Sequence, residues 1–286
     1  MLSRVWHLLL LVVATQFIVA FAVRTISVLG TNGKTGCRVT NYALSKGYKV
    51  NAVSRSGRIE GWMPSTSNNG VLVPMAGDVT KIETLDNVLQ GSYAAIFAAS
   101  ASKEGGSAMD VDKNGLINVA KACIRNKVPR LIIVSSGAVT RPLSPVYLFL
   151  NLFDSIMKAK IDGENEVRAI YSGQSECSYT IIRPGGLTLE IGKGVQEIEL
   201  NQGDSFSGRI SRCNVAALCI ESVDDESTKN VTFECYGVGT GSPLSSVGLN
   251  NLFKRKSNTK ATTGYEKTGS TYSELFEGLI NDKKLN

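Results

Sequence analysis

Histidine is almost missing from this chain: His7 is the only one in 286 residues. The six cysteines, Cys37, Cys123, Cys177, Cys213, Cys219 and Cys235, form no C-x-x-C pair. Zinc sites draw on clustered His and Cys, so both shortages argue against one. The scattered cysteines are also unlike a disulfide framework and read as isolated buried thiols, suited to a reducing compartment. A dense basic stripe is lacking as well. The net charge is +6, and residues 252–286, with seven Lys/Arg against four Asp/Glu, supply +3 of it. Nucleic-acid surfaces concentrate positive charge more than this, so no nucleic-acid partner is expected. No internal repeat is present, and nothing in the pattern signals an oligomeric state. What is there is ordinary for a globular α/β chain: 43% hydrophobic residues, 20% charged and 28 glycines.

Arg4 precedes an apolar run from Val5 to Val23, interrupted only by His7, Thr15 and Gln16. Ala20-Phe21-Ala22 supplies a small-x-small cleavage site, so residues 1–22 read as a signal peptide. The run is also long enough to span a bilayer as an uncleaved anchor; the polar interruptions and Ala-Phe-Ala favour cleavage. Either reading takes the chain into the ER system. The Ala20-Phe21 junction resembles bipartite presequences of algae whose plastids lie inside that system. Such a destination would reconcile import with unpaired cysteines, although almost nothing separates Phe21 from the first strand.

From Thr25 onward, short β-branched runs alternate with helical segments, as an α/β doubly wound parallel sheet requires. Strands are predicted at 25–29, 49–53, 71–75, 94–98, 130–134, 179–183 and 231–236. Helices are predicted at 35–45, 82–89, 110–126, between Pro145 and Tyr171, and at 214–222. Ser242–Gly269 is polar and reads as a loose linker. Thr271-x-x-Glu274 is a capping box that opens a short C-terminal helix.

Strand one runs into Gly30-Thr31-Asn32-Gly33-Lys34-Thr35-Gly36. A lone G-x-x-G-x-x-G is a weak signal, but its place between a strand and a helix makes it strong. Gly30 permits the tight turn, Gly33 lets backbone approach a pyrophosphate, and Gly36 lets the helix pack closely on the sheet. The helix start then offers free N–H groups to the phosphates. All seven residues are candidate cofactor contacts. They define a single Rossmann domain over residues 24–241, with small C-terminal elements on the substrate side.

An NAD-preferring site of this kind places an acid at the end of strand two, about twenty residues past the glycines. Here that strand ends Val53-Ser54-Arg55-Ser56-Gly57-Arg58, with no acid before Glu60. Arg55 can hold a 2′-phosphate bidentately, and Ser54 and Ser56 can donate to it. NADP(H) is the expected cofactor.

With these residues in view, the chain resembles the atypical, NmrA-like branch of the short-chain dehydrogenase/reductases over about residues 25–237. It is similar to the biliverdin-IX-beta/flavin reductases and to NADP-binding subunits of the chloroplast envelope translocon. Gly77-Asp78-Val79 matches the segment where an Asp meets the adenine amino group, which implies Asp78 and Val79 as contacts. Ala98-Ala99-Ser100 matches the strand-four end along the cofactor. Val111-Asp112-x-x-Gly115-x-x-Asn118, Val134-Ser135-Ser136, Ile182-Arg183-Pro184-Gly185-Gly186 and Ile210-Ser211-Arg212 continue the series. Asn214 departs from it, standing where the family usually has Asp.

The superfamily's Tyr-x-x-x-Lys pair is missing from its usual place. Tyr42-x-x-x-Lys46 matches in letters but sits in the first helix, and Asn151 stands four residues after Tyr147. The resemblance implies a lysine on the helix after strand five that reaches the nicotinamide ribose. Lys160 fits that position best, and reads equally as a solvated helix-face lysine. Ser135 reads either as a residue that orients a substrate carbonyl or as a structural strand-end serine. The apolar stretch 142–153 reads as helix core, with a substrate lid or a membrane or partner contact as the alternative. Two functions stay open: an NADPH-dependent reductase of a small apolar or conjugated substrate, and a non-catalytic NADP(H)-binding sensor or scaffold.

Overall fold

A computed structural model describes residues 23–64, 70–102, 105–152, 154–244 and 266–284. The signal-peptide or anchor segment, 1–22, lies outside them, as does most of the predicted linker, 245–265. The central strands are β1 (Thr25–Leu29), β2 (Lys49–Ser54), β3 (Val71–Ala76), β4 (Ala94–Phe97), β5 (Arg130–Val134), β6 (Ser178–Pro184) and β11 (Val231–Gly237). With β8 (Ile198–Asn201) they form an eight-stranded sheet in the order β3-β2-β1-β4-β5-β6-β11-β8, and β7 (Gly186–Thr188) pairs separately with β10 (Arg209–Ser211). All pairings are parallel except β8 on β11.

Alternation along each strand supplies two cores, because the inner strands are covered on both faces. Ile26, Val28, Ile96 and Ile132 face α1 (Gly36–Ser45) and α6 (Arg212–Asp224). Leu29, Phe97, Leu131 and Ile133 face α2 (Leu85–Leu89), α3 (Leu116–Arg125) and α5 (Ile156–Tyr171). Pro74 sits in β3, where a residue without an N–H does least harm, on the sheet edge. All six cysteines are unpaired, and Cys123, Cys177, Cys219 and Cys235 are buried. Among the described residues no helix is long and apolar enough to cross a membrane.

Four expectations need correction. The helix predicted from 110 begins as a π turn, Met109–Gly115, which hands over to α3 at Leu116. The predicted 145–171 helix is two: α4 (Pro145–Asn151) and α5. Asp154 and Ser155 take left-handed φ of 56° and 53° between them. The Asp154 carboxylate accepts the Ala108 N–H at 2.5 Å, and Asn151 Oδ1 accepts the Lys158 N–H at 3.2 Å. The first ties the break to the segment before the π turn, and the second serves an N–H in the first turn of α5. The apolar stretch is likewise only half core: Val146, Tyr147 and Leu150 pack inward, while Leu143 is 89% and Leu152 79% exposed. Finally, the ends of the linker are not loose. Ser242–Pro243 (β12) pairs with Phe206–Ser207 (β9), and Lys267 bridges Leu200. The C-terminal helix α7 (Tyr272–Phe276) buries Leu275 and Phe276 in the main core, so it belongs to the same domain. Its Thr271 cap accepts the Glu274 N–H, as the capping box predicts.

Candidate functional site

The strand order reverses between β1 and β4, which opens a crevice at their C-terminal ends. The glycine turn lies there. Gly30 takes φ of 90°, and a Cβ on it would come within 2.7 Å of the Ala99 nitrogen. The N–H groups of Gly30 and Thr31 both donate to the Val53 carbonyl, at 3.1 and 3.2 Å, hanging the turn on β2. A Cβ on Gly36 would overlap the Gly30 carbonyl oxygen, so α1 can approach only because that position is bare. Gly33 lines the crevice itself, and its Cβ would stand 3.2 Å from the same oxygen. Among the described residues no backbone carbonyl takes the N–H groups of Asn32, Lys34 or Thr35. They remain for a ligand at the start of α1.

Around this turn is a cleft of about 570 Å³. It is lined by Gly30, Asn32 and Gly33 from the turn, Ser54, Arg55 and Ser56 after β2, Asp78 and Val79 after β3, and Ala98, Ala99 and Ser100 after β4. Thr31 is a correction: it is fully buried, and its hydroxyl pairs with that of Thr40 in α1 at 2.9 Å. Gly36 is buried beneath the turn, and Lys34 lines a neighbouring hollow rather than the cleft.

The far end of the cleft is shaped by a tight turn. Ser54 donates its hydroxyl to the Arg58 carbonyl at 2.9 Å, which closes the turn and presents Arg55 and Ser56. The Ser54 proton is therefore committed within the protein. Asn32 reaches across to the same segment: its Nδ2 donates to the Arg58 carbonyl, and its Oδ1 accepts from the Glu60 N–H. Glu60, not among the expected contacts, also lines the cleft, where its carboxylate accepts the Ser56 hydroxyl at 2.8 Å. Asp78 Oδ1 accepts from the Thr80 N–H and hydroxyl, which fixes the carboxylate on its loop.

The strand-four end is held by a residue that the sequence only hinted at. Asp112, fully buried in the π turn, accepts from Ser100 Oγ and the Ala101 N–H, both at 2.8 Å. Lys160 Nζ donates to the same carboxylate at 2.7 Å. Lys160 thus does not line the cleft; it stands behind it, joined through Asp112 to Ser100. π turns recur at functional sites because the extra residue re-aims a side chain. Gly163 lets α5 press against this turn, since a Cβ there would come within 2.9 Å of the Asp112 carbonyl oxygen. Asn118 and Gly115 of the same motif serve the β3 side, bonding and packing on Val79.

Ser135 has a different environment from the one expected of a carbonyl-orienting residue. Its hydroxyl donates to Glu164 at 2.5 Å, inside a buried network of Arg183, Arg168 and Glu234. The proton is occupied. Burial pushes the Glu164 carboxyl up, but Arg183 and Arg168 outweigh it and hold the group below the usual carboxylate range. For Glu234 burial outweighs Arg183, and its pKa is raised to about 7. Glu234 also accepts the Asp204 N–H, and Asp204 in turn holds the Ala138 and Thr140 N–H groups. Tyr42 and Lys46 both bind Glu221 of α6, at a helix–helix contact outside the residues that line the cleft.

Sheet, switch point, bare turn and cleft define a dinucleotide-binding protein of the Rossmann type. The model of the NAD(P)H-binding family matches residues 30–226, and the chain belongs to that family, as an atypical, NmrA-like short-chain dehydrogenase/reductase. An uncharacterised chloroplastic protein of Arabidopsis thaliana is 31% identical over 72% of this chain and 74% of its own length. An uncharacterised sugar epimerase of Bacillus subtilis is 26% identical over 72% of this chain and 91% of its own. A short-chain dehydrogenase/reductase of Veillonella parvula, solved in complex with NADP, shares the fold. It has a TM-score of 0.55 and 20% identity, covering 76% of this chain and 96% of that one.

Proposed function

We propose that this protein binds NADP(H) and reduces a small apolar or conjugated substrate without a catalytic tyrosine. The observation that carries the cofactor reading is the end of β2, where Arg55 lines the cleft in place of the usual acid. The bare glycine turn and free N–H groups fit the pyrophosphate, and Asp78 fits the adenine end. Glu60 works against a 2′-phosphate, so Arg55 must outweigh it; the Ser56 hydroxyl already shares the Glu60 charge. The V. parvula complex supports the same cofactor.

When bound, the nicotinamide supplies a hydride. This chain's part is to hold Ser100 and the segment after β4 through Asp112, whose charge Lys160 balances from behind the cleft. With the Ser135 proton engaged, the substrate proton comes from water or a weak acid. The same engagement of Ser135 and Lys160 favours a second reading, a non-catalytic NADP(H)-binding sensor or scaffold. A cofactor-oxidation screen of the full chain against quinones, flavins, enones and sugar nucleotides separates the two. Turnover of one acceptor class establishes the reductase; tight NADPH binding with no turnover establishes the sensor. Residues 1–22 support import into the ER system, and the chloroplastic relative supports a plastid beyond it. Microscopy of a C-terminal fluorescent fusion tests that route.

A further inference from the structure

Beside the cofactor cleft, and sharing Asn32 with it, lies a second hollow of about 420 Å³. Lys34, Arg38 and Asn41 of the turn and α1 form one side, and Trp62 and Leu189 form the other. None of its lining residues is acidic. Arg38 is anchored through Nη1, which donates to the Lys34 carbonyl. Arg212, at the start of α6, is anchored in the same way, its Nη1 donating to the Leu187 and Thr188 carbonyls. Neither arginine, nor Lys34, meets a carboxylate among the described residues. Partial burial, and then the neighbouring Arg38 charge, pull the Arg212 pKa below its ordinary range. Arg38 and Lys34 thus place two positive groups in the lining with no acidic residue among the described residues beside them, an arrangement that an anion relieves. Among the described residues no acceptor takes Arg38 Nε or Nη2, which suits them to a planar, bidentate acceptor.

The opposite wall adds a second requirement. Trp62 gives its indole N–H to Asn32 Oδ1 at 3.3 Å, so the ring has only its apolar surface to offer. Leu189 leaves 62% of itself exposed beside it. We infer that this hollow is a subsite for the acidic group of a flat, conjugated substrate, with the carboxylate on Arg38 and the apolar body between Trp62 and Leu189. The inference rests on the proposed reductase reading and narrows it to conjugated acids. The competing occupant is the cofactor's own pyrophosphate, whose proposed cleft shares Asn32 with the hollow.

Titration calorimetry on the full chain saturated with NADP⁺ decides between them, with 2-naphthoate as the probe and 2-naphthylmethanol as its neutral counterpart. Naphthoate should bind saturably and at least about tenfold tighter than the alcohol. Arg38→Gln and Arg38→Ala should each weaken it by about tenfold or more, while NADP⁺ affinity, which also reports folding, stays within about threefold. A probe that does not bind, or binds the variants equally, overturns the inference. So does displacement of NADP⁺ by naphthoate, or a parallel loss of NADP⁺ affinity in the variants, since either gives the hollow to the pyrophosphate. A native chain that binds no NADP⁺ at all removes the cofactor reading instead, and the subsite with it.

Discussion

Removing the Asp112 carboxylate is the sharpest mechanical test of how the site is held. Its side chain is fully buried and serves three donors: Lys160 Nζ at 2.7 Å, and Ser100 Oγ and the Ala101 N–H at 2.8 Å. Lys160 is itself only 12% exposed, so Asp112→Ala leaves an ammonium group with little water and no counter-charge. Stranding one partner of a buried pair costs about 3–5 kcal/mol, and the two other donors lose their acceptor as well. Lys160→Met should cost less, because Asp112 keeps two donors. In the double variant no charge is stranded, so its loss should fall short of the summed single losses by at least about 1 kcal/mol. Urea denaturation of the four proteins gives the cycle. Since Ser100, in the segment that follows β4, lines the cleft, Asp112→Ala should also weaken NADPH binding. An Asp112→Ala cost below about 1 kcal/mol, or a cycle that is simply additive, would refute this account.

The glycine turn predicts two different failures. Gly33→Val points branched carbons into the cleft and should lower NADPH affinity more than about tenfold, with the thermal midpoint little changed. Gly36→Ala instead drives α1 off the Gly30 carbonyl and should destabilise the fold by about 2 kcal/mol or more, read by the same denaturation. Glu234 predicts a pH effect. Its folded pKa is raised from 4.5 to about 7, so the folded state holds an extra proton between those values. That stabilisation is complete below about pH 4.5 and fades as pH rises through about 7, by at most about 3 kcal/mol. Glu164, with a lowered pKa, is ionised in both states over this window and does not contribute. Glu234→Gln should flatten stability between pH 5 and 7.5; an unchanged slope would place the titration elsewhere.

The inner strands were legible because burial on both faces writes them as β-branched runs, and the glycine turn because backbone contact tolerates no other residue. What escaped had local causes. Strand β8 carries Glu199 and Asn201, buried polar residues that mask a strand on the antiparallel edge. The break between α4 and α5 has neither Gly nor Pro; Asn151 bonds the Lys158 N–H across it, and Asp154 reaches Ala108, a distant partner that residue spacing does not reveal. The π turn at Asp112 keeps the same apolar spacing as an α-helix, so its redirected carboxylate leaves no periodic trace. Arg55 is legible at the end of strand two, whereas Glu60 stands beyond the position where the usual acid falls. The Ser54–Arg58 turn folds it back into the cleft.

Titration of NADPH and NADH into the full chain tests the central claim most directly. With Arg55 at the strand-two end, NADPH should bind at least about tenfold tighter, a difference of about 1.4 kcal/mol, and Arg55→Asp should erase or reverse the preference. Equal affinities for the two nucleotides in the unaltered protein would contradict it.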